Sequence, residues 1–388
     1  MASRGTAEEV RRANLSAVLR LLYVNGPSSR AVLARATGRN RSTMASLVAD
    51  LVELGLAEER DPAALGVAGR PSPVVHVRPE VVAIAVNPEI DALTLGLVGL
   101  DGTVRRVIRH AYDRIPSVAE VLSITAAVLA GMEVELAALR VVGIGVAVPG
   151  QVQTAEGVVR NAPHLGWRDE SFAAPLTELS GLPVALANDA ALGAWAEHRF
   201  GSGRGQDHLV YLNGGASGIG GGVIIAGALL GGTSGYAGEI GHIRIASSPA
   251  LDSAGIAGTL ESLVTRAELL AALGLDESSA DRLATALLHN PPQAALAVAH
   301  RQLAHLGSAI AAVINILNPQ VIALGGFLAA LLAFDPDLLD REVAAATLAP
   351  SREGVRIVPA DLSDRLLLVG AAGLAFEPLL RDPASFAR

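Results

Sequence analysis

Apolar and polar positions change their spacing near residue 80, which divides the chain into two differently built parts. Before residue 80, apolar residues recur at helical spacing in three short stretches, 7–22, 28–36 and 40–54. Two short strand-like segments follow, 57–60 and 74–78. Three short helices with a glycine turn between the second and third, then a β-ribbon, predict a winged helix-turn-helix whose wing tip covers residues 61–72.

Beyond residue 80, short apolar strands alternate with helical stretches, which is the pattern of an α/β protein. Strands are predicted at 81–86, 92–99, 104–110, 141–148, 182–187, 208–212, 222–226 and 321–324. Helices are predicted at 117–139, from 188 onward and over roughly 260–317. Two α/β halves of comparable size predict a bilobal body with a cleft between the lobes.

The densest cluster of glycine residues lies between Asp207 and His242. A buried strand is followed by a predicted glycine loop over residues 214–222, where backbone N–H groups can approach a ligand closely. The stretch ends with Glu239 and His242, each beside a glycine. Tight turns without a ligand are the alternative explanation for so many glycines.

Composition limits the protein classes that fit. A chain of 388 residues is expected to form two or three domains. It contains no cysteine, which excludes disulfides and thiolate metal sites. No apolar run has the length of a membrane span, and the polar first residues do not match a signal peptide. We therefore expect a cytoplasmic protein without membrane contact.

Charge is distributed unevenly between the two parts. Residues 1–80 contain 11 arginines and 8 acidic residues, whereas residues 81–388 contain 19 arginines and 30 acidic residues. Seven arginines and no acid lie between Glu9 and Asp50. A basic module on an acidic body suggests a nucleic-acid reader joined to another function. A three-helix interaction module with a solvated basic face is the alternative.

DNA contacts are expected at the amino-terminal end of the third helix and at the wing tip. In helix-turn-helix proteins the start of the recognition helix meets base edges and phosphates. The predicted contact residues there are Arg39, Arg41, Ser42, Thr43 and Ser46. At the wing tip, Arg70 is predicted to enter a minor groove.

Five ordered motifs make the chain resemble the ROK family of repressors and sugar kinases. They are GIGVAVPG at 143–150, APHLGW at 162–167, NDA at 188–190, GIGGG at 218–222 and GEIGH at 238–242. The resemblance covers nearly the whole chain and implies an actin-like, ribonuclease-H-like bilobal body preceded by a winged helix-turn-helix. It implies domains at 1–80, at 81–200 completed by 365–388, and at 201–364.

The resemblance also implies a sugar site. The set that holds the sugar in the family's kinases maps onto Asn188, Asp189, Glu239, His242 and Glu261. Carboxylates, an amide and an imidazole suit the hydroxyl groups of a pyranose. The alternative is an internal polar network that fixes the two lobes, although burying unpaired carboxylates would be costly.

The chain departs from the family's kinase pattern at the positions that serve phosphate binding and catalysis. The family's first phosphate loop corresponds to Asn87-Pro88-Glu89-Ile90-Asp91, which lacks both loop glycines and adds two acids. Phosphoryl transfer needs charge neutralisation, which this loop opposes. Asp189 stands where the resemblance implies a catalytic base, and we interpret it as a ligand contact. No catalytic residue is therefore predicted.

Zinc is also not expected. Many relatives bind zinc through a cysteine-rich segment together with the histidine of GEIGH. Here three other residues stand at the cysteine positions: Asp252, Ala254 and Thr259. One histidine and one aspartate do not make a tetrahedral site. We predict no metal or other cofactor, and we expect other hydrogen bonds to hold the ring of His242.

Together these features predict a sugar-responsive transcriptional repressor. It would bind operator DNA as a homodimer or a dimer of dimers and sense a sugar or sugar derivative in the interlobe cleft. One alternative is an active ATP-dependent sugar kinase that carries a DNA-binding module. Another is a regulator whose cleft meets a protein partner instead of a sugar.

Overall fold

The computed structural model describes residues 7–61, 73–216 and 218–386. Within these ranges it is a mixed α/β structure with four sheets: two small three-stranded sheets and two five-stranded ones. In this part of the chain, no helix combines the length and the apolar character needed to cross a membrane.

The amino-terminal module has the predicted helices and ribbon. Its helices are α1 (Ala7–Asn25), α2 (Arg30–Thr37) and α3 (Arg41–Glu53). Its strands are β1 (Ser28–Ser29), β2 (Ala57–Arg60) and β3 (Val74–Val77), paired in the order β1-β3-β2. Ser29 caps α2 by accepting from the Val32 N–H, and Asn40 caps α3 by accepting from the Thr43 N–H. Gly38 ends α2 in the left-handed region.

The first large sheet carries the amino-terminal half of the body. Its strands and the helices between and after them are, in chain order, β4 (Val81–Pro88), β5 (Ala92–Gly99), β6 (Val104–Ala111), α4 (Val118–Gly131), α5 (Glu133–Ala137), β7 (Arg140–Val148), α6 (Ala173–Ser180), β11 (Val184–Asn188) and α7 (Asp189–Phe200). The strand order is β11-β7-β4-β5-β6. A small side sheet, missed by the sequence analysis, consists of β8 (Gln151–Gln153), β9 (Val158–Ala162) and β10 (Trp167–Ser171).

The second large sheet carries the other half. Its elements are β12 (Leu209–Gly215), β13 (Gly218–Ile225), β14 (Ala228–Leu229), α8 (Leu260–Leu263), α9 (Arg266–Leu273), α10 (Leu283–Leu288), α11 (Gln293–Leu317), β15 (Val321–Gly326), α12 (Phe327–Phe334), α13 (Pro336–Ala346), α14 (Ala349–Arg352) and β16 (Arg356–Pro359). The strand order is β14-β13-β12-β15-β16. β12 is antiparallel to β13 and parallel to β15.

The last helix, α15 (Leu366–Arg381), returns to the first sheet and packs on β4 and β7. The approach is so close that a Cβ on Gly145 of β7 would lie 1.8 Å from the Ala371 carbonyl oxygen. α15 lies at the carboxyl-terminal end of the body's sequence, yet it covers two strands from the body's first part. The division of the body into 81–200 with 365–388, and 201–364, stays a prediction.

The glycine-rich segment is a hairpin of two strands, so the expected loop over residues 214–222 is wrong. β12 runs to Gly215 and β13 begins at Gly218. A Cβ on Gly222 would lie 2.5 Å from the Ala190 carbonyl oxygen and 2.6 Å from the Ala194 Cβ. These glycines let β13 pack directly on α7, and side chains would force the two elements apart.

The winged module packs on the body through α1. The Tyr23 ring contacts those of Trp195, Phe200 and Phe376, with ring centroids 5.2–6.3 Å apart. Next to them, the Arg20 guanidinium pairs with the Glu377 carboxylate at 2.6 Å. Buried residues of α1 therefore belong to the same hydrophobic cluster as those of α7 and α15.

Candidate functional site

All five residues of the predicted sugar set line one cleft. Asn188 ends β11 and Asp189 begins α7, while Glu239 precedes a short helical turn, His242 ends that turn and Glu261 lies in α8. The cleft runs between the two large sheets, and its narrow part has a volume of about 60 Å³. Two wider sections share lining residues with it and have volumes of about 220 and 770 Å³.

The amide of Asn188 is held by the backbone. Its Nδ2 donates to the Gly150 carbonyl oxygen at 2.9 Å, and its Oδ1 accepts from the Ala191 N–H at 2.8 Å. The side chain thus caps α7 and joins the end of β11 to the turn after β7. One N–H of the amide remains for a ligand.

Asp189 is a buried carboxyl group in the cleft whose proton affinity is strongly changed. Its burial, together with the nearby carboxylates of Glu89 and Glu239, raises the pKa of Asp189 to about 7, although the Ala190 N–H donates to Oδ1 at 2.7 Å. Near neutral pH the carboxyl group is therefore present in both protonation states. It can accept from a ligand hydroxyl or donate to one.

His242 is held by a carboxylate, as expected from the sequence. Its Nδ1 lies 2.8 Å from Asp252 Oδ2, and the Asp252 side chain is fully buried. Burial lowers the pKa of His242, but Asp252 and the carboxylates of Glu261 and Glu239 outweigh it and raise that pKa. Because an ionised carboxylate only accepts, Nδ1 carries a proton, and Nε2 of the neutral ring is an acceptor.

Asp252 also organises the segment that is cysteine-rich in many relatives. Its Oδ1 accepts from the N–H groups of Ala254 and Ile256 at 2.9 and 2.8 Å, and its Oδ2 accepts from Thr259 Oγ1 at 3.0 Å. In the described chain, no three His, Asp or Glu side chains are grouped to hold a metal ion. The residues here do not fit zinc, and one carboxylate with four donors holds the segment instead.

Glu261 links β13 to the same segment. Oε2 accepts from the Ile219 N–H at 3.0 Å, and Oε1 accepts from the N–H and hydroxyl of Ser253 at 3.1 and 2.5 Å. Burial opposes ionisation, but His164, Ser253 and the Ile219 N–H outweigh it and lower the pKa of Glu261 to about 2. Glu261 is therefore ionised, and much of its accepting capacity is already used.

His164 is a cleft residue that was not among the predicted site residues. It lies in the short turn after β9, and its Nε2 is 3.8 Å from Glu261 Oε1. This buried nitrogen has no hydrogen-bond partner in the described chain. Its position inside APHLGW was the available signal, because that motif is one of the five that carry the family resemblance.

The predicted DNA-contact residues lie together at the start of α3. Four of them are exposed, Arg39, Arg41, Ser42 and Ser46, and Thr43 is half-buried. The Ser42 hydroxyl donates to the capping Asn40 Oδ1 at 2.9 Å, which occupies its proton. The sixth predicted residue, Arg70, lies outside the described residues.

Ion pairs reduce the basic face that the sequence suggested. Four of the seven arginines between Glu9 and Asp50 pair with carboxylates. The pairs are Arg11–Asp50, Arg12 with Glu8 and Asp382, Arg20–Glu377 and Arg30–Glu59. Within the described ranges, Arg35, Arg39 and Arg41 have no such partner. The free positive charge is thus concentrated around the α2–α3 turn.

A family model described as "ROK family" matches residues 90–377. The chain belongs to the ROK family. It is 26% identical to the xylose repressor of Bacillus subtilis (strain 168) over 376 residues, which cover 96% of this chain and 97% of that protein.

Two solved ROK structures share the fold. One is a ROK family transcriptional regulator described as a homolog of the E. coli MLC protein; its TM-score is 0.79 at 23% identity, covering 96% of this chain and 97% of that one. The other is a ROK glucokinase from Streptomyces griseus in complex with glucose and AMPPNP; its TM-score is 0.64 at 26% identity, covering 76% of this chain and 98% of that one. The regulator therefore matches the winged module as well as the ROK body.

The wide section of the cleft is lined in part by the turn between β4 and β5. Glu89 and Asp91 both line this cavity of about 770 Å³. Asp91 Oδ2 accepts from Arg109 Nη2 at 2.8 Å. Burial, and next the Asp91 carboxylate, raise the pKa of Glu89. The turn between β4 and β5 thus presents carboxyl groups to the cavity.

Proposed function

We propose that this ROK protein is a sugar-responsive transcriptional repressor. The main supporting observation is that one helix joins the two candidate sites. α7 begins in the cleft with Asp189 and ends with Phe200 against Tyr23 of the winged module. The similarity to the xylose repressor extends over nearly the whole length of both chains, including the module that would bind DNA.

The ligand is a pyranose held by Asn188, Asp189, Glu239, His242 and Glu261, with His164 as a sixth contact. The set offers one amide N–H, carboxyl groups in both protonation states and one imidazole acceptor, which matches a ring of hydroxyls that donate and accept. The narrow section is smaller than the roughly 300 Å³ at which ligand pockets begin. Placing a pyranose among all five side chains, which meet in the narrow section, therefore requires the lobes to separate.

Lobe separation provides the link to DNA. A ligand shifts a conformational equilibrium by its differential affinity for the two states. Asp189 is both a sugar contact and the first residue of α7, so a lobe movement that admits sugar displaces α7. Because Tyr23 packs on the far end of α7, the winged module follows. In a homodimer this changes the spacing of two recognition helices, which must match operator half-sites.

We further propose that the protein does not phosphorylate its sugar. The turn that should supply backbone donors to a nucleotide's phosphates carries the carboxyl groups of Glu89 and Asp91 instead, although Arg109, Arg266 and Arg365 also line this section. A kinase remains the second candidate, because Asp189 has the pKa of an effective general base. A coupled assay with ATP, magnesium, xylose and glucose distinguishes them: turnover at about 1 s⁻¹ or faster would identify a kinase.

The repressor proposal is tested with full-length protein and an operator selected from a random DNA pool. Fluorescence anisotropy measures operator affinity with and without each sugar of a panel that includes xylose and glucose. One sugar should change operator affinity, and DNA should change the affinity for that sugar by the same factor. The proposal is wrong if no DNA is enriched over random sequence, or if calorimetry detects sugar binding that leaves operator affinity unchanged.

A further inference from the structure

A second cavity lies between the winged module and the ROK body, away from the sugar cleft. Its volume is about 370 Å³, within the range of ligand pockets. Its walls are Asn14, Ala17, Arg20, Leu21, Val24 and Asn25 from α1, Ala36, Thr37 and Arg39 around the end of α2, and Arg199 from α7. We call it the junction pocket. None of its residues lines the cleft.

Three guanidinium groups face this pocket. Arg20 is neutralised by Glu377, to which its Nη1 and Nη2 donate at 3.1 and 2.6 Å. Arg39 is exposed and pairs with no described carboxylate. Arg199 is half-buried, and its Nε is a buried donor without a hydrogen-bond partner in the described chain. Among the described residues, Glu377 is the only acid that forms an ion pair with any of these three groups. The pocket therefore has excess positive charge.

The state of Arg199 is unfavourable without a ligand. A buried donor left unpaired costs roughly 1–3 kcal/mol, and such donors normally have partners. Burial, and next the charge of Arg20, lower the pKa of Arg199. An anion in the pocket would offset the repulsion between Arg199 and Arg20, because a guanidinium binds planar oxyanions through two parallel hydrogen bonds.

We propose that the junction pocket binds a small organic anion, bearing a phosphate or carboxylate group, by contacts to Arg199 and Arg39. The asparagine and threonine side chains offer further hydrogen bonds. The apolar side of the pocket, formed by Leu21 and Val24, suits a short carbon skeleton. The alternative partner is a phosphate of the DNA backbone, but a recessed guanidinium between two packed domains suits a small molecule better than a rigid duplex.

The bound anion would act as a second effector. Arg39 belongs to the turn before α3, and Arg199 belongs to the helix that starts in the sugar cleft. An anion held by both fixes the recognition helix relative to α7. Operator affinity then depends on two ligands, the sugar at one end of α7 and the anion at the other.

Anion binding is tested without DNA, on the full-length protein. Calorimetry and thermal unfolding are measured with inorganic phosphate, 3-phosphoglycerate and citrate, at constant ionic strength set with sodium chloride. Arg199→Gln should weaken binding at least tenfold. Ala17→Glu adds a carboxylate to an exposed pocket wall, leaves every arginine in place, and should abolish binding. Arg204→Gln, an exposed arginine beyond α7, is the matched control and should bind like wild type.

Three results would overturn the proposal. The first is that no probe binds wild-type protein beyond the sodium chloride control. The second is equal binding by wild type and Ala17→Glu. The third is that Arg199→Gln binds anions normally but lowers operator affinity and reduces the salt slope by about 1, which would make Arg199 a DNA phosphate contact. Since anion binding is read without DNA or sugar, its failure leaves the repressor proposal untouched.

Discussion

Replacing Asp252 by asparagine should change the chemistry that His242 presents to the cleft. The wild-type carboxylate accepts four hydrogen bonds, from the ring of His242, from the Thr259 hydroxyl and from two backbone N–H groups. The amide of the Asp252→Asn variant retains one oxygen, which is expected to stay with the two backbone donors. Its NH₂ group then faces Nδ1 of His242, and a donor cannot pair with a protonated Nδ1.

The ring should respond by changing tautomer. With the proton moved to Nε2, Nδ1 accepts from the new amide, and the cleft receives a donor where it had an acceptor. A hydrogen bond to a charged group contributes about 1.5–3 kcal/mol. The variant should lose stability of that order and should bind the sugar roughly ten- to a hundredfold more weakly, at 1.4 kcal/mol per factor of ten.

The substitution should also change how stability depends on pH. The pKa of His242 is raised in the folded protein, so its charge stabilises the fold below the ordinary histidine pKa near 6.5. That contribution disappears as pH rises through the folded pKa. Without the Asp252 carboxylate the folded pKa should fall towards 6.5 or below, and the difference in unfolding free energy between wild type and variant should be larger at about pH 5 than at about pH 8.

Nitrogen NMR of the histidine rings and chemical denaturation at the two pH values provide the measurements. Asp337→Asn, on the first turn of α13 and away from the cleft, serves as the control. An Asp252→Asn variant that keeps Nδ1 protonated, or that loses the same stability at both pH values, would contradict the expected tautomer change.

Three further substitutions test other parts of the structure. Asp189→Asn should weaken sugar binding about tenfold or more. In calorimetry, the sugar affinity of the wild type should change as pH passes about 7, and the variant should lose that pH dependence. Because ionising Asp189 opposes folding between about pH 4 and 7, the same variant should be more stable than wild type at about pH 8 but not at about pH 4. Gly222→Ala should lower the free energy of unfolding in urea by about 1–3 kcal/mol, because the added Cβ would collide with α7. Its control, Gly131→Ala, has open space around the new Cβ and should be neutral or stabilising. Arg41→Ala should weaken specific operator binding by about 1–3 kcal/mol in anisotropy titrations, and an equal loss on random DNA would show a phosphate contact instead of a base contact.

Local sequence signals predicted the order of the elements well. Ser29, Gly38 and Asn40 mark helix ends by chemistry that acts within about four residues, and in the structure all three cap helices. The central strands of the two large sheets were recognisable because buried strands are nearly uniformly apolar, whereas the short edge strands β14 and β16 were not predicted. The residues of the sugar set could be named because the resemblance supplied them, and they line one cleft.

Long-range contacts account for what the sequence did not predict. The ion pair between Arg20 and Glu377 joins residues 357 positions apart, and no local sequence signal near either residue predicts it. Val10 and Val52 are apolar residues of α1 and α3 within the helically spaced stretches, yet they are 50% and 40% exposed. Spacing defines a face, but the neighbouring elements decide how wide the covered part of that face is.

The packing of Tyr23 against the body limits how the winged module of this protein can be exchanged or altered during evolution. An exchange of residues 1–80 with those of another regulator would bring a foreign side chain against Trp195, Phe200 and Phe376, whose rings fit this tyrosine. Removing the module would expose the same rings to water. New operator preferences should therefore arise by substitutions on the exposed start of α3, in lineages that inherit the module and the body together.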